Sequence, residues 1–156
     1  MIFPKYQKDF LTELLNAEVK FIVIGGYAVI FHGYIRTTGD VDLWLKPDNS
    51  TKEKFLKILT KSGFSEETIK LIHQSDFTET LAFHIGEPPD RIDFLTKLTG
   101  LNFDDAILKA EILKTDDFEI PVLHLDDLII NKMLSTRAKD KADVEELQKI
   151  YKPLRK

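Results

Sequence analysis

The stretch Phe21–Lys46, FIVIGGYAVIFHGYIRTTGDVDLWLK, constrains the fold more than any other part of this chain. Apolar residues run into the pair Gly25-Gly26, which ends a short strand over Lys20–Ile24. A short helix over Tyr27–Phe31 follows and stops near Gly33. The polar loop Arg36-Thr37-Thr38-Gly39 then feeds a second strand over Asp40–Lys46. A strand that is apolar throughout has both faces covered, so the first belongs inside a sheet. The second alternates, with Asp40 and Asp42 on one face and Val41, Leu43 and Leu45 on the other. Residues two apart on a strand lie roughly 6.6 Å apart along the backbone. Two acids so placed repel each other. Either that face is solvated, or a hard divalent cation relieves the repulsion, since oxygen ligands are what Mg²⁺ takes.

With 156 residues the chain suits one domain. The expected division is a core over about 21–97 with C-terminal helices over about 126–151 packed on it. Cysteine is absent, which excludes disulfides, a thiolate nucleophile and cysteine-ligated metal, and agrees with a cytoplasmic location. No apolar run approaches the ~20 residues of a membrane span, and MIFPKYQKDF does not read as a signal peptide. The net charge of −4 argues against a DNA-coating protein. It is unevenly spread: residues 132–156 hold 8 Lys/Arg and 4 Asp/Glu (net +4), and residues 101–127 hold 8 acids and 2 Lys (net −6). The basic end reads as a solvated helix face or as a positive wall facing phosphates.

The rest of the chain alternates helices and short strands. A helix over Lys5–Asn16 carries Phe10, Leu11, Leu14 and Leu15 on one stripe. Helices are expected over Lys52–Lys61, from Ser65, and over Asn102–Leu108. Strands are expected over Thr80–Ile85, Arg91–Thr96 and Phe118–His124, with Pro121 keeping the last at an edge. Asp126 is expected to cap a helix to about Ser135, and Asp140 a final one to about Tyr151. The strand over Arg91–Thr96 places a third acid, Asp93, between Ile92 and Phe94.

A glycine pair opening a helix leaves backbone N–H groups and a positive dipole end suited to phosphate, although any tight turn can use glycine. It is neither GxxxxGK[ST] nor GxGxxG. If a neighbouring strand brings Asp93 against Asp40 and Asp42, three carboxylates could hold two ions ~3.5–4 Å apart, the clamp used for phosphoryl chemistry. The histidines His32, His73, His84 and His124 have no ligand spacing. Trp44 shares the Asp42 face, as a stacking surface for a base or as a partly buried aromatic.

Taken together, Gly25-Gly26, Asp40-Val41-Asp42-Leu43 and Ile92-Asp93-Phe94 resemble the nucleotidyltransferase superfamily that shares the DNA polymerase β fold. The loop Arg36-Thr37-Thr38 and the end Leu125-Asp126-Asp127-Leu128…Lys132…Arg137…Lys139-Asp140…Asp143 resemble a small bacterial and archaeal subgroup. That subgroup is related to abortive-infection and toxin–antitoxin nucleotidyltransferases. The likeness spans about Phe21 to Leu147. It implies an α+β (α/β) fold, a mixed sheet of about 4–5 strands flanked by helices. It implies Mg²⁺ or Mn²⁺ as cofactor and a nucleoside triphosphate (NTP) as donor. Asp40, Asp42 and Asp93 would be catalytic and metal-binding, and Gly25 and Gly26 would hold the triphosphate. Arg36, Thr38 and Lys132 join them as nucleotide-binding candidates. Lys132 reads equally as a salt-bridge partner of Asp140 or Asp143.

The implied activity is transfer of a nucleoside monophosphate to a hydroxyl of a protein, RNA or small molecule. The alternatives are a regulatory, antitoxin-like nucleotide-binding protein acting through a toxin or antitoxin partner, and an enzyme that modifies aminoglycoside-type drugs. No membrane partner is expected.

Overall fold

The structure is a computed structural model that describes residues 3–34, 37–134 and 137–155. Among these residues the chain forms helix α1 (Lys5–Asn16), strand β1 (Phe21–Ile24), helix α2 (Gly25–Phe31) and strand β2 (Val41–Leu45). Helices α3 (Asn49–Lys61) and α4 (Glu66–His73) follow, then strands β3 (Ala82–Ile85) and β4 (Ile92–Leu95). The rest is α5 (Phe103–Lys109), β5 (Glu111–Lys114), β6 (Glu119–Val122), α6 (Leu125–Met133) and α7 (Ala138–Arg155). No described helix is long and apolar enough to cross a membrane.

The six strands make one mixed sheet in the order β3-β4-β2-β1-β6-β5. β1 runs antiparallel to β2 and parallel to β6, and β2 runs parallel to β4. All four residues of β1 are buried, as its apolar run requires of an interior strand. On one face of the sheet Leu43 and Phe94, register partners, pack under α1 and α3. There Phe10, Phe55, Phe83 and Phe94 form a chain of tilted, edge-on and stacked rings 5.0–5.8 Å apart. The opposite face carries Asp42, Asp93 and Trp44. Phe103 of α5 meets the Trp44 ring edge-on at 5.2 Å, and the indole N–H donates to Thr96 O at 3.2 Å. Trp44 is 1% exposed, so it belongs to the core and offers no surface to a base. That face is therefore sealed at the Trp44 end of β2 and open at the Asp42 end.

Three local expectations need correction. β6 is interior, between β1 and β5, although it contains Pro121. Its link to β1 has the single register pair Val23–Val122, with Leu123 N–H donating to Val23 O. Donors alternate sides along a strand, so the missing N–H at 121 would face β1, where the ladder stops short. A strand over Glu111–Lys114, unmarked by alternation, pairs with β6 and becomes the true edge. The last two helices also start earlier than expected. His124, not Asp126, caps α6, its Nδ1 accepting from Asp126 N–H at 3.1 Å. Asp140 lies inside α7 and is bound to side chains instead of capping.

Candidate active site

Two neighbouring strands and one turn build the site. β2 and β4 are parallel and in register, with Asp42 opposite Asp93, so both carboxylates leave the same face side by side. Asp40 stands two residues before Asp42, on that face by parity. On the other side of β2, Ile24 is the register partner of Asp42, and the chain turns into α2 at the next residue. Gly25 takes φ +67°, and a Cβ there would run into the Asp42 carboxylate, 2.8 Å from its Cγ. Only glycine meets both demands. Among the described residues no side chain caps the N-terminus of α2.

These residues open onto a cavity of about 830 Å³. Asp40, Asp42, Asp93, Gly25, Gly26, Thr38 and Lys132 all line it. Arg36 lies outside the described residues. Also lining it are Arg91, Asn131, Arg137 and Asp140, of which only the last two fell within a recognised stretch. Arg91 had a readable signal: it stands two residues before Asp93, hence on the same strand face.

Among the described residues, no donor meets the carboxylate of Asp40 or of Asp42. Burial first, then the neighbouring charges of Asp93 and Asp40, raise the Asp42 pKa to about 6, against the pull of Lys132 and Arg137. Asp93 is held differently. The Arg91 guanidinium reaches both of its oxygens, Nε at 3.1 and 3.2 Å and Nη2 at 2.9 Å. The three acids thus share one cavity, yet no group of three acidic or imidazole side chains among the described residues is drawn in tightly enough to cage an ion. The chemistry of the donor set fits a hard divalent cation: two carboxylates that meet no donor among the described residues, one of them raised in pKa by burial and then by its like-charged neighbours, with a third beside them.

Lys132 makes the salt bridges to Asp140 and Asp143 that the sequence offered as one of its readings. It is 4% exposed, and its Nζ sits 2.7 Å from Asp140 Oδ1 and 3.1 Å from Asp143 Oδ2, while the side chain also lines the cavity. Arg137 braces the same acid, Nε to Asp140 Oδ2 at 2.8 Å. Lys132, Asp140 and Asp143 thus form a buried ion-pair cluster joining α6 to α7. Two of the histidines have ordinary structural roles: His32 Nε2 bonds Leu123 O at 2.7 Å and His124 caps α6.

Known proteins agree with this architecture. The solved structure of a lincosamide antibiotic adenylyltransferase, LnuA with lincomycin bound, superposes with a TM-score of 0.55 at 15% identity, covering 96% of this chain and 98% of that one. A candidate nucleotidyltransferase of Thermotoga maritima, TM1012, gives 0.56 at 17% identity, covering 99% and 96%. At such identities the likeness is one of fold. No curated protein matches the sequence. Residues 5–156 match the family described as "Nucleotidyl transferase of unknown function (DUF2204)", and the chain belongs to that family.

Proposed function

We propose, from membership of the nucleotidyl transferase family, that this chain moves a nucleoside monophosphate from an NTP to a hydroxyl acceptor and releases pyrophosphate. The observation that carries the reading is the register pairing of Asp42 with Asp93, beside Asp40 and the Gly25-Gly26 turn, on one open cavity. Asp40, Asp42 and Asp93 would hold Mg²⁺ or Mn²⁺, which when bound supplies positive charge to the phosphate oxygens. Backbone N–H groups at Gly25 and Gly26, with Thr38, Arg36 and the Lys132 cluster, take the triphosphate. Asp93 accepts the proton of the acceptor hydroxyl. The hydroxyl oxygen bonds to the α-phosphorus, the bond from that phosphorus to the bridging oxygen breaks, and pyrophosphate leaves with its electrons. The cysteine-free composition suits a reducing compartment such as the cytoplasm.

The acceptor is a hydroxyl of a protein, an RNA or a small molecule. Hydroxylated drugs, aminoglycosides and lincosamides among them, are the first small molecules to try, because LnuA shares the fold. A second reading, nucleotide binding without transfer in a regulatory role toward a toxin or antitoxin partner, is favoured by the hold of Arg91 on Asp93. One experiment separates them. The purified chain and Asp42→Ala are incubated with each α-labelled NTP and Mg²⁺ or Mn²⁺, with candidate hydroxyl compounds and with cell extract. Label transfer lost in Asp42→Ala supports the enzyme. Metal-dependent binding with no transfer under any condition supports the regulatory reading.

A further inference from the structure

Gln7 stands on α1 in the stripe continued by Phe10, Leu11 and Leu14, and it is 0% exposed. Its Nε2 donates to Gly39 O at 2.9 Å, to Arg91 O at 3.0 Å and more loosely to Pro89 O at 3.4 Å. Three carbonyl oxygens around one end of an amide fix that end as the NH₂, since an amide oxygen cannot donate. The acceptors are not scattered. Gly39 immediately precedes Asp40, and Arg91 is two residues before Asp93. Arg91 O also takes the Val41 N–H at 3.2 Å, where β2 begins to pair with β4. One side chain from a helix outside the strand–turn–strand unit thus ties both acid-bearing segments at their entrances. The other end of the amide, Gln7 Oε1, is buried with no hydrogen-bond partner among the described residues.

We infer that Gln7 is a positioning residue: its amide, held between Gly39 O and Arg91 O, sets the spacing of Asp40 from Asp93 and so the spread of the cation-binding carboxylates. The inference rests on the nucleotidyl-transfer reading. Gln7 is fully buried and does not line the cavity. It acts through the two backbone carbonyls.

The test compares wild type, Gln7→Met and Leu14→Ala, a buried change on the same helix that leaves the joint alone. Mn²⁺ alone is titrated by electron paramagnetic resonance, thermal unfolding is followed, and hydrogen exchange is read at the Val41 amide. Gln7→Met is expected to weaken Mn²⁺ binding about tenfold or more, as loss of a supporting hydrogen bond does at metal sites. It is also expected to speed Val41 exchange. Leu14→Ala is expected to lower the melting temperature with Mn²⁺ affinity kept. Equal loss of affinity in both variants, or unchanged affinity in Gln7→Met, overturns the inference. If Gln7→Met does not fold, Gln7→Asn is read in the same way. Should wild type bind no Mn²⁺, the proposed function fails on its own, and Val41 exchange still decides the role of Gln7: an unchanged rate overturns it.

Discussion

At residue 42 a carboxylate sits where the fold would rather have a neutral group. Its pKa is about 6 in the folded chain against an ordinary value of 3.8, raised first by burial and then by Asp93 and Asp40. Between those values the folded chain keeps a proton that the unfolded chain has released. Stability therefore falls as pH rises from 3.8 to about 6 and stays lowered above that. Without divalent ions, Asp42→Asn is expected to be more stable than wild type at pH 8 by up to about 3 kcal/mol. The gap should close toward pH 4, read by urea denaturation at both pH values. Equal stability at pH 8 would contradict it. Gly25 makes the complementary case. In Gly25→Ala the left-handed backbone is destabilising by about 1–2 kcal/mol, and the methyl group meets the Asp42 carboxylate. A lower thermal midpoint together with lost nucleotide binding is expected. Both residues were legible in the sequence, because alternation and a strand-to-helix glycine are local. The Arg91–Asp93 pair was legible from parity as well, but the Gln7 amide was not, because 32 and 84 positions separate it from its partners Gly39 and Arg91.

Elements show where local reading stops. Lys132 on α6 and Asp140 and Asp143 on α7 have side chains 5%, 6% and 2% exposed, and they join the two helices. Lys132→Met removes one of the cations that hold two buried carboxylates, a destabilisation expected below the ~3–5 kcal/mol of an uncompensated buried charge because Arg137 still holds Asp140. The loss is expected to appear as faster hydrogen exchange across α7 and a lower urea midpoint. Retained protection in α7 would show that apolar packing, Leu147 included, holds the helix alone. Sequence spacing could not show the salt bridges of Lys132, because they depend on how α6 and α7 pack against each other. Pro121 teaches the same lesson. Its missing N–H limits one side of β6, and the partner on the other side, β5, carries no alternating pattern of its own.

For the molecule as a whole, the expectation of one domain yields its own prediction. Trp44 is the sole tryptophan and sits in the core beneath Phe103. Its fluorescence and far-UV circular dichroism are expected to report one coincident urea transition. Two separated transitions would divide residues 21–97 from the C-terminal helices. Alternation and turn residues were enough to set the interior place of β1 and the strand positions of Asp42 and Asp93, with Asp40 just ahead of its strand, because each follows from backbone periodicity within a few residues, while the mixed α+β architecture came from the family resemblance. Pairing decided the rest. Only the parallel register of β2 with β4 put Asp42 beside Asp93. Only the packing of α1 brought Gln7 to the carbonyls of Gly39 and Arg91, and only that of α6 and α7 brought Lys132 to the cavity. Contacts across many residues depend on which surfaces close against each other, and no local pattern encodes that.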